Sequence, residues 1–346
     1  MARAFCVLLL YCSLCLDNVF AEKHAVILVY HHVANDTPQS TSISPKTFRA
    51  HLRYLHEQGF RVWPLSKVLD ALAHPHRMEQ KVVAITFDDA YASVYSNAFP
   101  ALQTYNWPFT IFVSTDYLDK SFKNYMTWSQ LRILNNYGAE VGNHSRSHTR
   151  LIKQAEEGHT DWQQRVTHEI QYAQSRISAE LTHPALQILA YPYGEFDDEL
   201  EKLVSSLAYA ALGQQSGVAA VNGSITQIPR FPITAAYANL PAFSLRVHAQ
   251  ALPVTVLGDS ARVLAQGTQP VLKLRIGTGE FERLAISCFA TNQGPITVKW
   301  EAADTLSITV SEPLAVGRSK YTCTVKSRTD DRVFYWYSHL WIVQES

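Results

Sequence analysis

Lys81-Val82-Val83-Ala84-Ile85-Thr86-Phe87-Asp88-Asp89 is the stretch on which the fold turns. A short apolar run rich in β-branched residues suits a strand buried on both faces, as in a parallel sheet. The two carboxylates that end it fall where parallel α/β sheets and barrels build their sites. Adjacent carboxylates repel one another unless a cation or a shared proton relieves them. Read alone, the pair equally suits a helix N-cap.

Working outward, the same pattern recurs. Ala25–Tyr30, Phe109–Ser114, Glu140–Gly142 and Leu186–Ala190 read as further short buried strands. Helical patterns lie between them. Ser44 and Pro45 open one helix, with Phe48, Leu52 and Leu55 on one side and Gly59 closing it. Tyr91–Tyr105 has helical spacing, Thr127–Asn136 reads as a helix ended by Gly138, and Asp161–Leu181 is a long amphipathic helix. Another follows Asp197 as N-cap. Alternating strands and helices predict an α/β fold, a (β/α) barrel in form. Past about residue 245 the helical patterns stop, and short alternating stretches predict a small all-β unit. The expected organisation is residues 1–21 as an export signal, 22–250 as the α/β domain and 251–346 as the β domain, with the boundary near Pro253.

Composition narrows the function classes. The 346 residues are 47% apolar with zero formal net charge, which argues against nucleic acid or an anionic membrane surface as main partner. Arg3, the apolar Phe5–Leu16 and Val19-Phe20-Ala21 fit a cleavable secretory signal, so an exported, periplasmic or extracellular protein is expected. Cleavage would remove Cys6, Cys12 and Cys15. Cys288 and Cys323 then remain as an even pair, read as a disulfide or as two buried thiols. No later segment is long and apolar enough to span a membrane.

Two further elements carry chemistry. His144 and His148 are four residues apart, and on a helix they would share one face. With a strand-end Asp they make an open three-ligand set that leaves positions for water and substrate. Pro192-Tyr193-Gly194 follows another strand, and such a turn can aim the Tyr193 amide at a developing oxyanion.

Taken together, Thr86-Phe87-Asp88-Asp89, His144-Ser145-Arg146-Ser147-His148 and Pro192-Tyr193-Gly194 resemble the motifs of the NodB-type polysaccharide deacetylases of carbohydrate esterase family four. Trp107–Val113 resembles that family's intervening strand, and Tyr30-His31-His32-Val33 resembles its exported poly-N-acetylglucosamine-deacetylase branch. The resemblance covers about residues 25–245 and implies a distorted barrel that hydrolyses N-acetyl groups from N-acetylglucosamine polymers. It implies Asp88 as base, with Asp89, His144 and His148 holding one divalent metal. Zinc is the default there, with cobalt, nickel and iron compatible. It implies Tyr193 as the oxyanion donor through its backbone, and His31 rather than His32 as the acid. The family's third motif usually begins with an Arg that orients the base. Ala190 stands there, and Arg230 in Ile228-Pro229-Arg230-Phe231 is the expected substitute.

An O-acetyl esterase acting on other glycans and a catalytically inactive carbohydrate binder are the competing readings. Cys288, Trp300 and Tyr321-x-Cys323 resemble an immunoglobulin-like signature, with Gly317–Lys320 as a tight corner; the Cys288–Cys323 separation is short for that fold, so a related or abbreviated β-sandwich is an equal expectation. Tyr335, Trp336, Tyr337 and Trp341 are read either as a sugar-stacking glycan contact or as strand core.

Overall fold

The computed structural model describes residues 23–221, 223–258 and 261–345. The expected export signal, with Cys6, Cys12 and Cys15, lies outside the described residues. Six parallel strands run in chain order across the first sheet: β1 (His24–Tyr30), β2 (Val82–Phe87), β3 (Thr110–Val113), β4 (Glu140–Asn143), β5 (Ile188–Ala190) and β6 (Ala210–Leu212). Residues 225–233 then close the ring. Leu212 bridges Ile228 in parallel, while Phe231 and Pro232 pair with Leu28 and Val29 of β1. The result is a distorted barrel.

Both faces of these strands are buried, which is why they read as continuous apolar runs. Val83, Ile85 and Phe87 join one core cluster with Phe48, Leu52 and Leu131 from the flanking helices. Val82 and Ala84 belong to another with Ala25, Ile27, Phe112, Ala190 and Leu212. Each fully buried large side chain contributes about 1.5–3 kcal/mol. Helix boundaries follow local chemistry. Ser44 caps Pro45–Glu57, Thr127 and Gln130 form a capping box before Trp128–Tyr137, and Asp197 caps Asp198–Ser206. Between Tyr91 and Tyr105 the expected helix is short and irregular, with one π turn at Val94–Ala98 before Phe99–Gln103.

A second nine-stranded sheet begins at Gln250. Its principal strands are β7 (Ser287–Ala290), β8 (Gly317–Lys326) and β9 (Phe334–Gln344), with β8 in the middle and antiparallel to both others. Cys288 and Cys323 form a disulfide directly across the β7–β8 pair. It therefore staples adjacent strands of one sheet, unlike an immunoglobulin bridge between two sheets. Gly317–Lys320 is not a corner. It is the start of β8, drawn into the sheet because Ser319, Tyr321, Cys323 and Val325 alternate inward. Tyr335 and Trp341 are buried in this sheet's core, and Trp336 packs edge-on against Phe231 of the barrel. Leu340 and Ile342 of β9 share a core cluster with Leu151, Trp162, Tyr191 and Phe196, so the second sheet is docked on the barrel through apolar packing. No helix among the described residues is long and apolar enough to cross a membrane.

Candidate active site

Asp88 follows the last residue of β2 and is fully buried, as is Arg230. The guanidinium grips the carboxylate with both arms: Nη1 donates to Oδ1 at 2.7 Å and Nη2 to Oδ2 at 2.8 Å. Two further donors are used, Nε on the Gly213 carbonyl at 2.9 Å and Nη1 on Thr86 Oγ1 at 3.2 Å. Burial alone would raise the Asp88 carboxyl, but the charge and hydrogen bonds of Arg230 outweigh it and hold the group below the usual carboxylate range. Asp88 is thus kept ionised inside the protein.

Asp89 turns the other way, with a left-handed backbone (φ 71°). Its Oδ1 is buried without a hydrogen-bond partner, yet it lies 3.3 Å from Nε2 of both His144 and His148. Ligand atoms of the three residues fall within 4.8 Å of one another. The two imidazoles come from a loop after β4, not from a helix. Ser145 and His148 both have positive φ (66° and 57°), which folds the five residues back on themselves. Asn143 Oδ1 accepts from the Ser145 amide at 2.8 Å, and Glu169 accepts from the Ser147 amide at 2.8 Å and hydroxyl at 2.9 Å. The His144 Nδ1–H donates to the Ala190 carbonyl at 2.7 Å, which leaves the Nε2 lone pair facing Asp89.

Electrostatics fit a cation at this point. Burial and the neighbouring His144 push His148 down to about 4, so at neutral pH it is in the ligating form. For His144 burial opposes protonation, but the nearby carboxylates of Asp89 and Asp88 outweigh it and raise its proton affinity. An orphaned carboxylate oxygen beside two inward-facing imidazole nitrogens suits a divalent metal.

Tyr193 adopts a left-handed conformation (φ 60°) between Pro192 and Gly194. Gly194 is required by its own positive φ (68°) and by close packing, since a Cβ there would fall 2.6 Å from the Gln214 backbone nitrogen. His31 is half-buried just past β1, and His32 is buried and stacked on Tyr91 with centroids 3.5 Å apart. His31, Asp89, Tyr91, His148, Tyr193 and Gln214 line one cleft of about 600 Å³. A separate cavity of about 670 Å³ near Ile228, Leu252 and Trp336 holds none of the predicted catalytic or metal-holding residues.

Residues 76–212 match the family described as polysaccharide deacetylase. The chain carries a polysaccharide deacetylase domain. The matched span holds the two aspartates, the two histidines and Tyr193, whereas His31 and Arg230 lie outside it. The chain is 28% identical over 186 residues, 53% of its length and 61% of the relative's, to Bacillus subtilis YxkH, which is named as a polysaccharide deacetylase homologue. It is 28% identical over 98 residues to the Escherichia coli poly-beta-1,6-N-acetyl-D-glucosamine N-deacetylase, covering 28% of this chain and 15% of that protein. The chain thus spans less than two thirds of the length of either curated relative. Among solved structures, the Streptococcus pyogenes deacetylase PplD, determined in complex with acetate, has the same fold at TM-score 0.56 and 23% identity, over 62% of this chain and 95% of that one.

Sequence reading missed three partners of this candidate site. Glu169 supports the histidine loop, Gln214 Nε2 donates to Asp88 Oδ2 at 3.3 Å, and Arg318 reaches Tyr193 from the second sheet. Each is a single polar residue with no local motif around it. The one available signal was the inward register of Glu169 beside Ile170 and Ala173 on their helix.

Proposed function

We propose that this chain is an exported, metal-dependent hydrolase that removes N-acetyl groups from an N-acetylglucosamine-containing polysaccharide and releases acetate. The observation that carries the reading is the division of the aspartate pair. Asp88 is neutralised by Arg230, and Asp89 is left open toward two imidazoles.

Asp89, His144 and His148 would hold the metal, which when bound supplies a Lewis acid and lowers the pKa of a coordinated water. The protein groups divide the remaining work. Asp88 accepts the proton of the attacking water, its orientation held by Arg230. The Tyr193 N–H donates to the oxyanion as it develops on the acetyl carbonyl oxygen. His31, on the wall of the same cleft, gives a proton to the departing amine, so that one water is split between acetate and a free glucosamine unit. The domain division at 250/251 is retained in this proposal, with the catalytic groups in the first part.

The test is acetate release by the zinc-loaded chain from β-1,6- and β-1,4-linked N-acetylglucosamine oligomers, with acetylated xylan as comparison. Acetate from the N-acetylated oligomers is expected. Release from xylan alone would point to an O-acetyl esterase, and release from none would refute hydrolysis.

A further inference from the structure

Arg318 sits in β8 of the second sheet, yet its guanidinium ends in the deacetylase cleft. Nη1 donates to the Tyr193 carbonyl and lies 3.3 Å from Gln214 Oε1. Gln214 in turn donates from Nε2 to Asp88 Oδ2 at 3.3 Å. Arg318 therefore fixes which way the Gln214 amide faces, because its oxygen must meet the guanidinium for its nitrogen to meet Asp88. It also pins the peptide after Tyr193, whose left-handed backbone costs energy and persists only when its surroundings hold it. The Arg318 Nε lies 3.9 Å from the buried Glu195, which Arg150 also pairs at 2.6 Å. Thr291, Lys320 and Leu340 complete this wall from the second sheet. The apolar docking of Leu340 and Ile342 makes the support rigid.

We propose that Arg318 is a positioning residue for acetyl hydrolysis, so that the C-terminal sheet completes the active site. The proposal rests on the deacetylase reading above. Arg318 touches no reacting atom. It acts through Tyr193, keeping that amide aimed at the oxyanion position, and through Gln214, which shares Asp88 with Arg230. Because the side chain is half-exposed and Glu195 keeps Arg150, its removal leaves no buried charge without a partner.

The experiment uses the full zinc-loaded chain and the N-acetylglucosamine pentamer, in whichever linkage the wild type releases acetate from. In Arg318→Ala, kcat is expected to fall about 10- to 100-fold, the scale of misplacing a catalytic group by about 1 Å. KM, zinc content and melting temperature should stay near wild type. Arg318→Lys should restore part of kcat, since an ammonium can still serve one of the two acceptors. Combined with Gln214→Ala, the loss should be less than the product of the two single losses. An unchanged kcat in Arg318→Ala, or a loss that Arg318→Lys does not relieve and that follows a fall in melting temperature, overturns the proposal while wild-type turnover leaves the deacetylase reading standing. A wild type that releases no acetate overturns that reading, and the proposal with it.

Discussion

The two nine-stranded sheets of this chain treat charge in opposite ways. In the barrel, Asp88, Asp89, His144 and Arg230 are all buried where strands end. In the C-terminal sheet the core is aliphatic, aromatic and disulfide-linked, and pairs such as Lys273–Glu301, Lys326–Asp331 and Arg332–Asp330 stay at the surface. Buried ion pairs rarely stabilise more than well-packed apolar residues would, whereas exposed pairs cost little to keep. The barrel's buried charges are therefore best explained by chemistry, and the second sheet's core by stability. The difference teaches where function and folding can be separated by substitution.

The contrast breaks most sharply at the proposed metal ligands. His148→Ala should abolish zinc retention and with it acetate release, as equilibrium dialysis followed by metal analysis would show. If the variant keeps stoichiometric zinc, the three-residue site is wrong. Next is Arg230→Met, which should lower both turnover and stability. It leaves the Asp88 carboxylate buried without its partner, a loss of about 3–5 kcal/mol in chemical denaturation. A variant as stable as wild type would mean that Asp88 is neutral in the folded protein.

The second sheet supplies the converse test. Replacing Cys288 and Cys323 by Ser opens a link of sequence separation 35 and should cost about 4 kcal/mol in the loop-entropy description. Zinc-loaded kcat should remain near wild type at temperatures where the variant is folded. A kcat loss without unfolding would show that the disulfide shapes the cleft.

The mildest effect concerns a buried histidine of the barrel that no catalytic role claims. His51 is fully buried, its Nε2 donates to the Ala238 carbonyl at 2.7 Å, and the Tyr30 hydroxyl meets its Nδ1 at 3.2 Å. Burial pushes it down to about 4, so between about pH 6.5 and 4 the unfolded chain binds the proton and the folded chain does not. Its contribution to stability is thus complete above about pH 6.5 and lost as pH falls toward 4. Urea midpoints at pH 7.5 and 5 should differ less in His51→Gln than in wild type, and an equal difference would contradict this assignment.

The barrel was legible because its strands are buried on both faces and end in motifs only a few residues long. Asp88 and Asp89 adjoin in sequence, so their shared place at the end of β2 followed from the strand itself. The histidine spacing was legible but its conformation was not. A gap of four suits a helix as well as a loop, and positive φ at Ser145 and His148 has no signature in residues other than glycine. Arg230 could be sought only because Ala190 left a place for it. Gln214 and Arg318 were invisible, since what joins them to Asp88 is the packing of one sheet against another. In the second sheet, alternation correctly gave strands, but the short Cys288–Cys323 separation was better explained by neighbouring strands than by the two-sheet signature.

The central claim is that a metal and the Asp88 carboxylate act together in hydrolysing an N-acetyl group. It is tested most directly by measuring acetate released from N-acetylglucosamine pentamers by chelator-stripped, zinc-restored and Asp88→Asn proteins in one assay. The account predicts no release from the stripped chain, recovery on adding zinc, and a loss of about 10²–10⁴-fold in Asp88→Asn with zinc still bound. Undiminished release from the stripped chain, or from Asp88→Asn, would contradict it.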